Sequence, residues 1–130
     1  MPEAVETALA DPDCLMVNRN RGSGTRVLLD HLLGGRRPPG AAVEVRSHNA
    51  VAAAVAQGRA DWGVAIGPVA HLYGLSFIPM RVERYDFAVP SARWERPAVR
   101  AFRTLLGEPA TREALAALGF TPGEKVEVAP

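Results

Sequence analysis

Residues 21–26 read Arg-Gly-Ser-Gly-Thr-Arg, a combination of residue types that suits the binding of an anion. Gly22 and Gly24 let a ligand approach the backbone closely, and Ser23 and Thr25 add hydroxyl groups. A helix that begins here would direct its unpaired N–H groups and the positive end of its dipole toward the ligand. The sequence therefore predicts an oxyanion or carboxylate site at this helix start.

Two nucleotide-binding motifs also place glycines after a strand, and neither fits this loop. A Walker loop requires Gly-Lys-Ser/Thr, whereas Gly24-Thr25 is followed by Arg26. The dinucleotide fingerprint requires a third glycine where Val27 stands. Spacing alone leaves a second interpretation open, in which residues 22–25 only form a tight, capped turn.

The arginines on either side of this loop have two possible roles. The guanidinium groups of Arg19, Arg21 and Arg26 would bind an oxyanion, or they would lie on the surface as solvated charges. The first role strengthens the prediction of an anion site, and the second leaves it unchanged.

Two further loops precede predicted helices. Ser47 is a good N-cap, and it would place His48 and Asn49 in a first helical turn. His48 either donates a hydrogen bond to a ligand or is an ordinary structural or surface histidine. The loop at Ile66 and Gly67 offers only backbone groups, which suits binding and not catalysis.

A search for catalytic or metal-binding groups finds little. Cys14 has no histidine near it, and His31, His48 and His71 lack metal-ligand spacing. Tyr85 follows a predicted strand, where its hydroxyl would reach a ligand or belong to a half-buried core tyrosine. We therefore expect a non-catalytic protein with no metal and no cofactor other than a bound oxyanion.

The elements that must position these residues alternate between strands and helices. Strands are predicted at 15–17, 42–46, 62–66, 75–79 and 85–89. Helices are predicted at 3–10, 25–33, 47–58, 69–73 and 97–106, and a last one that Thr111 caps and Gly119 ends. This alternation is typical of an α/β fold with a mainly parallel sheet and helices on both faces.

Composition limits the class of protein. The 130 residues fit one domain, and a net charge of +1 is too small to favour nucleic acid or an anionic membrane. One cysteine, no apolar run near the ~20 residues of a membrane helix and no secretory signal together predict a cytoplasmic protein.

Five segments carry a resemblance to a known family, and they occur in the expected order. They are 18–30, which contains the glycine-rich loop, 47–52, 55–63, 75–79 and 83–86. Over about residues 14–120 the chain resembles the periplasmic-binding-protein-like domain found in molybdate-responsive regulators and fused to molybdopterin biosynthesis proteins.

The resemblance implies a type 2 binding-protein fold, in which two α/β lobes close on a ligand held at helix amino termini. Residues 14–80 would form a nearly complete second lobe, and 81–120 would return to a truncated first lobe. Residues 1–13 would be a lead-in and 121–130 a loose tail. An apolar face left uncovered by the truncation would favour a homodimer.

The ligand implied by the resemblance is a small oxyanion such as molybdate, tungstate, sulfate or phosphate, or a molybdopterin-type phosphate. Backbone donors from Ser23, Gly24 and Thr25 would hold it, and Ser47, His48 and Tyr85 would complete the site. Three roles remain open: a sensor or carrier, an accessory domain of a molybdopterin biosynthesis enzyme, and the effector domain of a transcription regulator whose DNA-binding part lies elsewhere.

Overall fold

A computed structural model of the protein describes residues 2–123. The chain divides into two compact units, Met1–Arg81 and Val82–Pro130. The sheet and the glycine-rich loop of residues 21–26 both lie in the first unit.

The first unit alternates helices and strands along the chain. Its elements are α1 (Glu3–Ala10), β1 (Met16–Arg19), α2 (Gly24–Leu33), β2 (Glu44–Val45), α3 (His48–Ala56), β3 (Trp62–Gly63) and α4 (Gly67–Leu72). The strands form a parallel sheet in the order β2-β1-β3. In this register Arg19 lies opposite Val45, and Met16 lies opposite Trp62.

The central strand β1 supplies the core on both faces of this sheet, because successive strand side chains point to opposite sides. Met16 packs with Leu29 and Leu33 of α2, whereas Val17 packs with Val51 of α3. All five side chains are buried. Helices α2 and α3 therefore cover opposite faces of the sheet, as the alternating pattern predicts.

Two glycines set how closely these elements approach one another. Gly40 has a φ of +83°, and a Cβ there would overlap the carbonyl oxygen of Met16. A Cβ on Gly63 would lie 2.6 Å from Cγ1 of Val51 and 2.9 Å from Cγ1 of Val17. The absence of a side chain at Gly63 lets α3 lie close against the sheet.

The second unit is helical over its described residues. It contains a short 3₁₀ helix (Ser91–Arg93), α5 (Pro97–Gly107) and α6 (Pro109–Ala117). Phe87 packs edge-on against Phe102 at 4.9 Å between ring centroids, and the Arg103 guanidinium lies 3.8 Å from the Trp94 ring centroid. None of its described residues, 82–123, is buried.

The structure corrects several sequence predictions. The segments 75–79 and 85–89 are not strands, since an extended segment becomes a strand only when its N–H and C=O groups pair with another strand. Thr111 lies inside α6, which begins earlier because Pro109 is favourable in a first helical turn. Of the predicted tail, residues 124–130 lie outside the described part. Among residues 2–123, no helix is long and apolar enough to cross a membrane.

Candidate functional site

The candidate site lies at the carboxyl edge of the parallel sheet. All three strands run in one direction, so the loops that leave them and the helices that follow begin at the same edge. In open parallel sheets this edge is the usual place for a ligand. The central position of β1 puts the loop before α2 in the middle of it.

Helix α2 begins with a well-formed N-cap. Ser23 accepts a hydrogen bond from the Arg26 N–H at 3.2 Å through its side chain, and its own N–H donates to the Asn20 carbonyl at 3.4 Å. The N–H groups of Gly24 and Thr25 have no acceptor among the described residues. Of the three predicted backbone donors, Gly24 and Thr25 are therefore the ones available to a ligand.

Both glycines of this loop leave space at the helix start. Gly22 adopts a φ of +83°, which a residue with a side chain rarely adopts. Gly24 has ordinary helical geometry, and a Cβ built on it meets no atom within 4 Å. A side chain at position 24 would therefore fit the fold while filling the space in front of the helix.

Arg19 is a buried charged residue at the carboxyl edge of the sheet. It ends β1 and is only 7% exposed. Its Nη1 lies 3.5 Å from Oγ1 of Thr25 in α2 and 3.1 Å from Nδ1 of His48 in α3. Its Nε is buried without a hydrogen-bond partner, and no carboxylate of the described residues pairs with the guanidinium. One buried cation thus joins the starts of two helices.

His48 is the first residue of α3, and the hydroxyl of Ser47 caps this helix by accepting from the Ala50 N–H at 3.0 Å. The side chain of Arg19 points to the α3 face of the sheet, as does Val17 two positions earlier. Nη1 of Arg19 lies 3.1 Å from Nδ1 and 3.5 Å from Nε2 of the His48 imidazole, so it is close to both ring nitrogens.

Arg26 differs from Arg19 in its environment. Its Nη1 donates to Glu44 at 2.6 Å and to the carbonyl of Arg19 at 2.9 Å, and its Nε donates to Asp30 at 2.7 Å. The hydrogen bond from Arg26 lowers the pKa of Glu44, and Arg21 lowers it further. The bonds to the two carboxylates raise the pKa of Arg26 itself. Arg26 therefore ties α2 to β2, with its charge already balanced.

A groove of about 680 Å³ runs beside this ion-pair network. Arg21, Arg26, Asp30 and Glu44 line it, whereas Arg19 does not. Three of the four arginines that line the groove, Arg21, Arg26 and Arg36, lie next to carboxylates, and the fourth, Arg37, is exposed to solvent. The groove therefore offers no buried charge comparable to the Arg19 guanidinium. We place the candidate site at Arg19 for this reason.

The remaining predicted site residues lie in varied surroundings. Asn49 is exposed in the first turn of α3. Ile66 precedes the six-residue α4, whose second residue is proline, and a Cβ on Gly67 would lie 3.2 Å from the Phe77 ring. Tyr85 belongs to the second unit, where its ring packs edge-on against Phe120. Contacts from these four residues to a ligand stay predictions.

Two asparagines next to Arg19 were missed by sequence reasoning. Asn18 is buried, donates to the Ala41 carbonyl at 2.9 Å and accepts from the Arg19 N–H at 2.8 Å. The Oδ1 of Asn20 is buried with no donor among the described residues. Their signal was their place after the apolar run 15–17, but β1 continues beyond that run to Arg19.

The described residues hold no group of three or more His, Cys, Asp or Glu side chains that could bind a metal ion. Cys14 is partly buried, and burial raises the pKa of its thiol, with the charges of Asp61 and Asp11 adding to the effect. A raised pKa disfavours the thiolate, which is the nucleophilic form of cysteine.

Comparison with known families fits this geometry. A family model described as the PBP superfamily domain matches residues 5–107. The chain belongs to this superfamily of periplasmic-binding-protein-like domains. The resemblance read from the sequence is thereby confirmed at the level of the superfamily, whose domains generally bind ligands and are not catalysts.

One relative extends this comparison. A stretch of 82 residues is 42% identical to the uncharacterized protein YvgK of Bacillus subtilis (strain 168) and covers 59% of this PBP-like chain and 27% of that protein. The match therefore spans about a quarter of the length of this curated relative. No solved structure gives a significant match to the chain.

Proposed function

We propose that this PBP-like domain binds a small oxyanion at the start of α2 and acts by binding, without catalysis. The observation that carries the proposal is the burial of Arg19, which is 7% exposed and pairs with no carboxylate of the described residues. Removing a charge from water costs several kcal/mol unless another charge or hydrogen bonds compensate. A bound anion would supply that compensation.

The donors next to Arg19 suit an anion with several oxygens. Thr25 links the guanidinium to the positive end of the α2 dipole, since its Oγ1 lies 3.5 Å from Nη1 of Arg19 and it stands in the first turn of α2 beside Gly24. Arginine presents its donors in a planar fork, which can bind two oxygens of one ligand. This set recognises a compact oxyanion better than it would a nucleotide.

The finer proposal is molybdate or tungstate, with sulfate, phosphate and a molybdopterin-type phosphate as competing ligands. The resemblance of residues 18–30 to the domain of molybdate-responsive regulators supports it. A cytoplasmic sensor or carrier in molybdenum metabolism would use such a site. An accessory domain of a molybdopterin biosynthesis enzyme and a regulator's effector domain would use the same chemistry.

A thermal-shift series with molybdate, tungstate, sulfate and phosphate tests the proposal. An anion present at about a hundred times its Kd should stabilise the fold by about 2.7 kcal/mol, which gives an increase in Tm of several degrees. The absence of a shift with every one of these anions would contradict an oxyanion site in this chain.

A pair of glycine variants locates the site. Gly24→Val should abolish the shift, because its side chain fills the space before α2. Gly107→Val is the matched control, since Gly107 is the last residue of α5, as Gly24 is the first of α2, and a Cβ there also meets no atom within 4 Å. Equal shifts in both variants would place the ligand elsewhere.

Arg19→Met separates a binding role from a structural one. If Arg19 serves the anion, the variant should lose the shift while its anion-free Tm stays equal or rises, since a buried cation is removed. Arg100→Met on α5 is the control and should keep the shift. A lower anion-free Tm with an unchanged shift would assign Arg19 to the fold alone.

A further inference from the structure

We propose that the groove beside the ion-pair network is a second binding site, which takes an organic phosphate larger than the oxyanion proposed at Arg19. The groove has a volume of about 680 Å³. Pockets that hold small organic ligands measure roughly 300–1,000 Å³. Arg19 does not line the groove, so the inference goes beyond the proposed function and does not depend on it.

The loop between α2 and β2 supplies backbone donors to this groove. The N–H groups of Gly35, Arg37, Gly40 and Ala42 donate to no acceptor of residues 2–123. All four residues line the groove. A backbone N–H without a partner in the protein needs water or a ligand oxygen. This side of the groove therefore suits a ligand that carries several acceptor oxygens.

The same loop is held against β1, so these donors have fixed positions. The Met16 N–H donates to the Pro39 carbonyl at 2.8 Å, and Nδ2 of Asn18 donates to the Ala41 carbonyl at 2.9 Å. Gly40, with its φ of +83°, lets the loop lie close to the Met16 carbonyl. Donors that are already in position bind a ligand at a lower cost in conformational entropy than mobile donors do.

The charges of the groove favour an anion. Its lining contains four arginines and two carboxylates, Arg21, Arg26, Arg36, Arg37, Asp30 and Glu44. Arg26 bonds both of these carboxylates, and Arg36 bonds Glu6 at 2.8 Å. Arg37 is exposed and pairs with no carboxylate among the described residues. Four cations thus lie beside three carboxylates, and Arg37 can pair with a phosphate.

The rest of the lining suits the organic part of such a ligand. Leu33, Pro38 and Ala41 also line the groove, and the first two are buried against the protein. Inorganic phosphate would use the donors and leave this apolar surface in water. A phosphate with an apolar substituent should cover it and gain affinity from the burial.

An NMR titration that follows the backbone amide resonances tests the proposal, because it observes the four N–H groups directly. Phenyl phosphate should shift the resonances of Gly35, Arg37, Gly40 and Ala42, and it should saturate them at a lower concentration than inorganic phosphate does. Phenyl phosphate shifts confined to residues 23–25 would overturn the groove site. So would the absence of shifts at millimolar phenyl phosphate, or equal affinities for the two phosphates.

Two arginine variants test the role of Arg37. Arg37→Ala should weaken the binding of phenyl phosphate by up to about fivefold, the effect of an exposed ion pair. Arg59→Ala is the matched control, since Arg59 is also exposed but does not line the groove, and its affinity should equal that of the wild type. Equal weakening in both variants would overturn the role of the groove.

A third variant keeps the two proposed sites apart. Arg19→Met should lose the sulfate-induced thermal shift of the first site and keep the amide shifts that phenyl phosphate causes in the groove. Loss of the groove shifts in Arg19→Met would overturn the independent second site. A wild-type protein that shows the groove shifts but no thermal shift with any inorganic anion would contradict the first site and support the second.

Discussion

The two units of the chain use similar sequence patterns with different results. In Met1–Arg81, apolar residues at strand and helix spacing are buried on both faces of a sheet. In the described part of Val82–Pro130, α5 carries a comparable apolar face, yet Phe102 is 38% and Leu105 47% exposed. An amphipathic pattern therefore produces a core only where a second surface lies against it.

The comparison explains where the candidate site lies. A buried guanidinium that pairs with no carboxylate of residues 2–123 needs rigid surroundings, because a mobile chain would return it to water. β1 provides them for Arg19, since it is paired on both edges and covered on both faces. The two side chains within hydrogen-bond distance of the Arg19 guanidinium among the described residues, Thr25 and His48, belong to the first unit.

The prediction with the largest expected effect concerns the two units produced as separate chains. A chain of residues 1–81 should unfold cooperatively on heating, because both of its core clusters are complete. A chain of residues 82–130 should show little helix alone, since α5 and α6 have 11 and 9 residues and isolated helices below about 12–15 residues are marginal in water. Circular dichroism measures both. A cooperative transition in the second fragment would remove the contrast.

Gly40→Ala should be the most damaging single change in the first unit. The new Cβ would overlap the Met16 carbonyl at a positive φ, so we expect a loss of more than about 3 kcal/mol of unfolding free energy. Gly58→Ala is the control, since Gly58 also has a positive φ, of +67°, but has open space around it and should lose only about 1 kcal/mol. Equal losses in urea denaturation would contradict the predicted overlap.

A matched pair of leucines compares the two units directly. Leu29 is 0% exposed and Leu105 is 47% exposed. Leu29→Ala should cost about 2–5 kcal/mol because it leaves a cavity, and Leu105→Ala should cost less than about 1 kcal/mol. Urea denaturation of the two variants measures the difference. Similar costs would show that Leu105 is buried in solution.

The smallest expected effect is a pH dependence at the ion-pair network. The folded protein lowers the pKa of Glu44, so its contribution to stability is present above the unfolded-state pKa of about 4.3 and is lost as pH falls through the lower folded-state pKa. Glu44→Gln should reduce Tm slightly at neutral pH and flatten its fall in acid. Glu113→Gln on α6 is the control. A steeper acid fall in Glu44→Gln would contradict the assignment.

Much of the first unit could be predicted from the sequence because its signals are local. Ser47 is the N-cap of α3 as predicted, and α2 ends at Leu33, the last residue of the predicted helix 25–33, before the left-handed Gly34. The strands were less well predicted. β2 and β3 have two residues each, because ladder pairing ends where the partner strand stops.

The parts that could not be predicted depend on contacts distant in sequence. Nothing near Arg19 or Arg26 in the sequence shows that Arg19 is buried and pairs with no carboxylate of the described residues, whereas Arg26 bonds Glu44, 18 residues away. Nor does a lone histidine show that it will contact a strand-end arginine 29 residues away. Both contacts follow from the register of β1 against β2 and from the close packing of α3 against the sheet.

Because α3 packs closely against the sheet at Gly63, a change at this residue can affect the candidate site through the position of α3. Because a single methyl group there would press on Val51, Gly63→Ala should push α3 outward and widen the gap between His48 and Arg19. Sulfate affinity should then change, although Gly63 is not one of the proposed ligand donors. Calorimetry on this variant beside the wild type measures the effect, and an unchanged affinity would show that the helix does not shift. A substitution at this position would therefore change ligand selectivity by moving α3.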